Sequence, residues 1–147
     1  MYHYVECGLD NVRLRNGFVV KETPYGEAVA IHDVEGLHLA IGVMLAEKAS
    51  KLTGAEFRFL RKELGLSQDS LARILGNTDQ AIAKWEKGGK IPLSSERFLR
   101  GLYLEAKTGE AGLMEGIKRL NEIDHDLYTL SLQEDEGGWK EAEPHAA

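Results

Sequence analysis

The stretch LGLSQDSLARILGNTDQAIAKWEKG, Leu64 to Gly88, predicts two short helices joined by a tight turn. Ser67 supplies a side-chain cap for the first helix. Gly76 ends that helix, because glycine accepts a left-handed backbone at little cost. Thr78 then caps a second helix that runs from Asp79 to Lys87.

The spacing of three small or branched residues has a mechanical reason. Helices that cross closely through a tight turn need a small residue where they touch, here Ala72, and a glycine in the turn, here Gly76. Ile82 is the branched apolar residue that fills the space where the two helices cross. Together with Leu71, Leu75 and Trp85 this pattern indicates a helix-turn-helix, whereas the alternative is a helical hairpin with no role in DNA binding.

The second helix has two chemically different sides. Its predicted apolar side consists of Ala81, Ile82 and Trp85, and its outward side of Asp79, Gln80, Ala83 and Lys84. If Asn77 rather than Thr78 caps the helix, the first turn shifts by one residue. Whether Asp79 faces a base or solvent depends on which of the two residues is the cap.

The charge of the 147-residue chain is unevenly distributed. Its net charge is −6, but residues 51–107 carry +4 between flanks of −3 and −7. A phosphate backbone responds to the local balance, because salt screens charges beyond about 8–10 Å. The acidic C-terminal segment is either a solvated tail or a mimic of DNA charge.

Composition also limits the compartment and the covalent chemistry. Cys7 is the only cysteine, so an intrachain disulfide cannot form. The N-terminus lacks the features of a signal peptide, and no apolar run approaches the roughly 18 residues of a membrane span. We expect a soluble cytoplasmic protein that needs no cofactor and does not associate with membranes.

Glycine, serine and threonine residues near Ser50 and Thr108 divide the chain into three segments. Residues 1–50 predict a β-meander followed by a helix, residues 51–107 the helix-turn-helix domain, and residues 108–147 a helix and an acidic tail. In the first segment, Asn16-Gly17 favours a type I′ hairpin and Pro24 with Gly26 a second turn, which gives three antiparallel strands.

The helix of the first segment is predicted from Val34 to Lys48, with Asp33 as its cap. Its apolar stripe is expected to cover the three-stranded sheet and consists of Leu37, Ile41, Met44 and Leu45. Thr53 and Glu56 then form a capping box.

Phe57, Leu60 and Leu64 share one face of the helix that Thr53 starts. Phe59 lies nearly opposite, about 200° around from Phe57. It is therefore either a lone exposed aromatic or a docking point for the N-terminal segment.

The remaining elements are predicted from caps and periodicity. Ser94 or Ser95 caps a helix whose inward residues are Phe98, Leu99, Leu102 and Tyr103. A further helix is expected from Glu110 to Ile123. A terminal hairpin is expected around Gly137-Gly138, with Trp139 as its large anchor.

The residues LSQDSLARILG, followed by IAKWEKG and Pro92, resemble the helix-turn-helix of the Xre family over about Leu52 to Leu104. That resemblance implies the lambda-repressor-like fold, so the expected class is α+β, mainly α: a five-helix DNA-binding domain with a small N-terminal antiparallel sheet and helix. The wider layout is similar to that of the MqsA-type antitoxins. Those proteins carry a four-cysteine zinc site, whereas this chain offers Cys7 with only His3, His32 and His38 as further ligands, so no metal is expected.

The Xre resemblance also implies roles for individual residues. Gln68 contacts a phosphate or braces the recognition helix, and Arg61 forms a partly buried ion pair with Glu86. The alternative for that pair is two separately solvated charges. The residues implied to face the bases are Thr78, Asp79, Gln80 and Lys84.

The side chains of the second helix suit base edges. The amide of Gln80 matches N7 and N6 of adenine, and Lys84 reaches guanine or a phosphate. Ala81 or Ala83 contacts a thymine methyl group, while Asp79 accepts from cytosine N4 or favours the positive helix end. Candidate phosphate contacts are Arg58, Lys87, Lys90, Arg97 and the backbone amides of Ser94 and Ser95.

These features support two functional hypotheses. The first is a sequence-specific regulator of double-stranded DNA, a homodimeric repressor resembling an autoregulating antitoxin, with residues 94–123 as the dimer contact. The second is an interaction module that neutralises a toxin and binds DNA weakly. An enzyme is not expected, because no nucleophile has a matched base and no glycine-rich phosphate loop follows a strand.

Overall fold

The computed structural model describes residues 1–109 and 131–142. Its strands are β1 (Tyr2–His3), β2 (Arg13–Leu14), β3 (Phe18–Thr23), β4 (Gly26–Ile31), β5 (Leu132–Asp135) and β6 (Gly138–Glu141). Its helices are α1 (Val34–Glu47), α2 (Gly54–Glu63), α3 (Gln68–Leu75), α4 (Asp79–Glu86) and α5 (Leu93–Thr108). The predicted α+β, mainly α class is confirmed. The helix expected from Glu110 to Ile123 lies outside the described residues.

The strands of the N-terminal segment form two separate antiparallel pairs instead of the predicted meander. β1 pairs with β2, and β3 pairs with β4 across the turn at Pro24 and Tyr25. The predicted hairpin at Asn16-Gly17 is wrong, although Gly17 does adopt a positive φ of 79°. The strand before it pairs with the chain terminus, so this glycine turns the chain from one sheet into the other.

Helix α1 begins and ends close to its predicted limits. The side chain of Asp33 accepts a hydrogen bond from the amide of Gly36, as a cap does. Ile41 and Leu45 are buried as expected, but Met44 is 71% exposed, so the predicted stripe is wrong at that residue. The helix packs on α5 and α2 rather than covering a three-stranded sheet.

The contact between α1 and α5 depends on a small residue. The ring of buried Tyr103 crosses α1 at Gly42, where an added β-carbon would overlap the tyrosine hydroxyl oxygen. No side chain other than hydrogen fits at residue 42 without displacing Tyr103. The sequence periodicity of α1 gave no indication of this contact.

Helix α2 forms the centre of the core. The predicted capping box is confirmed, with Thr53 and Glu56 bonded reciprocally. Phe57 and Leu60 are completely buried, and Phe59 is also buried. The ring centre of Phe59 lies 5.5 Å from that of His38 on α1, so the docking alternative for this aromatic residue is the correct one.

Helix α5 begins at Leu93, two or three residues before the start that a cap at Ser94 or Ser95 would give. Pro92 precedes its first residue, and no side chain caps it, so the cap at Ser94 or Ser95 is wrong. Pro92 has no amide hydrogen that would need a partner at this helix start. Leu99, Leu102 and Tyr103 are buried as predicted, whereas Phe98 is 42% exposed.

The predicted terminal hairpin is confirmed as the antiparallel pair β5–β6, whose turn lies at Glu136 and Gly137. Trp139 is 70% exposed, so within the described residues it does not anchor the hairpin on the rest of the chain as predicted. Each strand has only four residues.

Candidate nucleic-acid interface

The turn between α3 and α4 has the geometry that the spacing predicts. Ala72 is 2% exposed at the crossing, and Ile82 is completely buried. Gly76 takes the left-handed conformation, with φ of 67°, and the amide of Asn77 donates to the carbonyl of Ala72 at 2.8 Å. The two helices therefore meet through a short turn in which glycine is the residue with positive φ.

The start of α4 decides which side chains its first turn presents. The hydroxyl oxygen of Thr78 accepts from the amide of Ala81 at 3.2 Å, so Thr78 is the cap. Asn77 instead accepts from the amide of Thr78 at 3.0 Å. The carboxylate of Asp79 accepts from the amide of Gln80, which satisfies a free donor at the positive end of the helix.

The outward side of α4 is nearly as predicted. Asp79, Gln80 and Lys84 are exposed, as is the cap Thr78. Ala83 is half-buried, and Ala81 is also half-buried on the side toward the core. The protruding polar groups are thus a carboxylate held against its own helix end, a primary amide and an ammonium group.

A buried polar network holds the end of α4 against α2. Arg61 donates from Nε to Glu86 Oε2 at 2.7 Å and from Nη2 to Oε1 at 3.0 Å. Its Nη1 donates to the carbonyl of Leu66 at 2.8 Å. The side chains of Arg61 and Glu86 are only 8% and 4% exposed, so this is an ion pair and not two solvated charges.

Gln68 belongs to the same network. Its Nε2 donates to Glu86 Oε1 at 3.1 Å, which is the geometry of a brace for α4. A buried ion pair of this kind fixes orientation, and removing one partner typically costs about 3–5 kcal/mol because the other charge is left uncompensated. The bond from Arg61 to the Leu66 carbonyl is the part of the network that the sequence pattern missed.

The cationic side chains predicted to contact phosphates differ in their surroundings. Lys87 follows the last turn of α4, Lys90 lies in the connection to α5, and Arg97 lies in the first turns of α5; all three are exposed. Arg58 is also exposed, but it lines a cavity of about 230 Å³ together with Glu6 and Cys7. The N-terminal segment thus places an acidic side chain near this cation.

The backbone amide of Ser95 is not available for a phosphate. It donates to the carbonyl of Pro92 at 3.1 Å inside the first turn of α5. This part of the expected phosphate contact is therefore wrong. The exposed Lys62 lines the same cavity as Arg58 and is a cation that the sequence interpretation did not include.

Polar contacts also join the N-terminal segment to the helical domain. Arg100 on α5 donates to the carbonyls of Lys48 and Ser50, and Lys48 Nζ lies 2.6 Å from Glu56 Oε1. On α1, His38 bonds to Glu63 through Nδ1 and to the hydroxyl of Tyr4 through Nε2. Except for Lys48 and Glu56, the partners in these contacts lie at least 25 residues apart in sequence, so no local pattern indicates them.

Neither a metal-binding cluster nor a membrane span occurs in the part of the chain that the structure describes. Among residues 1–109 and 131–142, no three histidine, cysteine, aspartate or glutamate side chains are grouped so that they could hold a metal ion. Within those ranges, no helix is both long enough and apolar enough to cross a membrane.

The family model described as "Helix-turn-helix" matches residues 57–100, which contain all of α3 and α4. No curated protein and no solved structure matches the chain. The match and the geometry define the class, which is a DNA-binding regulator with a helix-turn-helix domain. This class is one of regulatory domains rather than of enzymes. The similarity to MqsA-type antitoxins and the expected lack of zinc stay predictions.

Proposed function

We propose that this chain is a sequence-specific, homodimeric transcriptional repressor that inserts α4 into the major groove of double-stranded DNA. The observation that carries the proposal is the α4 surface. Thr78 caps the helix, Gln80 and Lys84 protrude from it, and the Arg61–Glu86 pair holds it rigidly against α2. A helix fixed in this way can present side chains to base edges without first becoming ordered.

Base recognition rests on few side chains. The amide of Gln80 can accept from N6 and donate to N7 of adenine, and Lys84 can donate to O6 and N7 of guanine. Asp79 has a smaller role, because its carboxylate bonds the amide of Gln80 and favours the positive helix end. Phosphate contacts from Lys87, Lys90, Arg97 and Arg58 would supply affinity but no sequence information.

One recognition helix reads only a few base pairs, so the proposal includes a two-fold dimer. Its two copies of α4 would contact half-sites about 34 Å apart, one turn of DNA. The proposed dimer contact involves residues 94–123, of which the structure describes only those up to 109.

Selection of bound duplexes from a random pool, at one fixed salt concentration, tests the function. We expect a motif with two-fold symmetry and half-sites about 10–10.5 base pairs apart. A variant with Gln80→Ala and Lys84→Ala is the control, and it should lose the motif while keeping weak binding to any duplex. Enrichment of no motif would contradict sequence-specific binding.

The β3–β4 hairpin supports a second candidate function, in which the N-terminal segment binds and neutralises a partner protein such as a toxin. Val19 is 57% exposed, Val20 is 49% exposed, and Tyr25 at the turn is completely exposed. Exposed apolar side chains on a two-stranded sheet with unpaired edges suit protein contacts.

DNA upstream of the protein's own coding sequence separates the two candidates. Tight binding of that DNA at physiological salt is expected of an autoregulating repressor. Weak binding that does not exceed binding to unrelated duplexes would favour the partner-neutralising module.

A further inference from the structure

An apolar groove lies between residues 9–14 and α1. It has a volume of about 370 Å³ and is lined mainly by aliphatic side chains, among them Leu9, Val12, Leu37, Ile41 and Met44. Met44 is 71% exposed at this groove, although α1 buries its neighbour Leu45. Arg13 is the charged residue among those that line the groove.

The β5–β6 hairpin exposes its large apolar side chains to solvent. Leu132 is 61% exposed and Trp139 is 70% exposed. Glu134 pairs with Trp139 across the hairpin, so Leu132, Glu134 and Trp139 share one face. A lone two-stranded hairpin is marginally stable in water, and one with four-residue strands needs a surface to pack on.

We propose that this hairpin docks in the groove of its own chain, with Trp139 seated between α1 and residues 9–14. The groove is within the size range of pockets that hold an aromatic group. Charge favours the same arrangement. Lys140 is already paired with Asp135 at 2.6 Å, which leaves the carboxylate of Glu134, beside Trp139, to meet Arg13 at the rim.

The connection between the two elements is long enough. Lys107, near the end of α5, lines a second cavity with Val34 and His38 of α1. The chain therefore leaves α5 at the N-terminal end of α1, and the groove lies within the length of this helix, about 21 Å for 14 residues. Residues 110–130 can span up to about 70 Å.

The fluorescence of Trp139 tests the proposal in the full chain. Buried Trp85 supplies a constant signal, which the variant Trp139→Phe measures separately. We expect the emission of Trp139 to be blue-shifted and protected from acrylamide. Met44→Glu would place a carboxylate in the groove and should lower the docked population at least about tenfold, which would red-shift and expose Trp139.

Two further variants make the test specific. Leu39→Glu changes another partly exposed apolar residue of α1, one that lines the second cavity, and should leave Trp139 protected. Arg13→Glu should expose Trp139, and Arg13→Glu combined with Glu134→Lys should restore its protection. The Trp85 signal of each variant in the Trp139→Phe background reports whether the domain is folded.

Three results would overturn the proposal. One is a Trp139 that is fully accessible in the unaltered protein, and another is protection that Met44→Glu and Leu39→Glu change equally. The third is protection that increases with protein concentration, because the groove would then hold the hairpin of a second copy.

Discussion

Gln80 is the side chain on which base recognition most depends. It is exposed in the first turn of α4, and its amide is the group there that can both donate and accept. We predict that Gln80→Ala weakens binding to the cognate site by about 1–3 kcal/mol and relaxes the preference at one base pair. Titration of the selected duplex and of its single-base variants measures both effects. An equal loss on every duplex would contradict base recognition by Gln80.

Lys87 has a different expected role, because it is exposed at the C-terminal end of α4, past the proposed base-contacting residues Gln80 and Lys84. Lys87→Ala should weaken binding to all duplexes alike. It should also reduce the slope of log K against log salt by about one unit. Lys21→Ala, an exposed lysine of the β3–β4 hairpin, is the matched control and should leave the slope unchanged. An unaltered slope in Lys87→Ala would remove this residue from the phosphate contacts.

At the scale of helices and strands, the sequence predicts best the features that depend on local chemistry, such as the start of a helix. The caps at Asp33, Thr53, Ser67 and Thr78 follow from short-range hydrogen bonds between a side chain and the next turn, and all four are confirmed. Strand pairing is less local. The meander prediction failed because Asn-Gly signals a turn, but the choice of partner strand depends on β1, which is only two residues long.

The α1–α5 contact gives a prediction at the scale of two packed helices. Gly42→Ala should destabilise the fold by about 1–3 kcal/mol, the usual effect of overpacking, because its β-carbon would overlap Tyr103. Gly101→Ala on α5 is the matched control. That glycine has open space around it, so the change should stabilise by about 0.5–1 kcal/mol. Urea denaturation measures both, and similar effects of the two variants would contradict the close contact at Gly42.

The contact between the end of α1 and the start of α2 should depend on pH. Burial of Glu56 alone would raise the pKa of its carboxyl, but the bonds from Lys48 and the Thr53 amide outweigh burial and lower that pKa below its ordinary value of 4.5. A carboxyl with a lowered folded-state pKa stabilises the fold above the unfolded-state pKa, and this stabilisation is lost as the pH falls through the folded-state pKa.

Glu56→Gln keeps an acceptor for the Thr53 amide and removes the charge that pairs with Lys48. The unaltered protein should therefore exceed this variant in free energy of unfolding above about pH 4.5, and the difference should shrink as the pH is lowered further. Denaturant titrations across this range measure the difference. A difference that stays constant down to the acid limit would show that the Lys48–Glu56 pair does not produce it.

For the whole molecule, one hydrophobic cluster extends from Tyr4 in the N-terminal segment to Tyr103 in α5. The sequence predicted which polar side chains of residues 78–84 are exposed, because cap chemistry and helical periodicity determine which side of α4 is polar. It did not predict how residues 1–50 attach to the helices. That attachment consists of contacts such as His38 with Glu63, or Arg100 with the carbonyl of Lys48, between residues 25 and 52 positions apart.

The continuous core predicts that the N-terminal segment and the helix-turn-helix unfold together. Leu45 on α1 is 8% exposed, so Leu45→Ala should lower the free energy of unfolding by about 2–5 kcal/mol. In a Trp139→Phe background, Trp85 on α4 reports only the helix-turn-helix, and its transition should shift as much as the transition seen by circular dichroism. Leu39→Ala, at a partly exposed residue of the same helix, should shift both transitions far less. An early unfolding step in Leu45→Ala that left the Trp85 transition unchanged would contradict this prediction. The predicted boundary near residue 50 would then separate two independently folding units. The contacts of Arg100 and His38 would be too weak to couple those units.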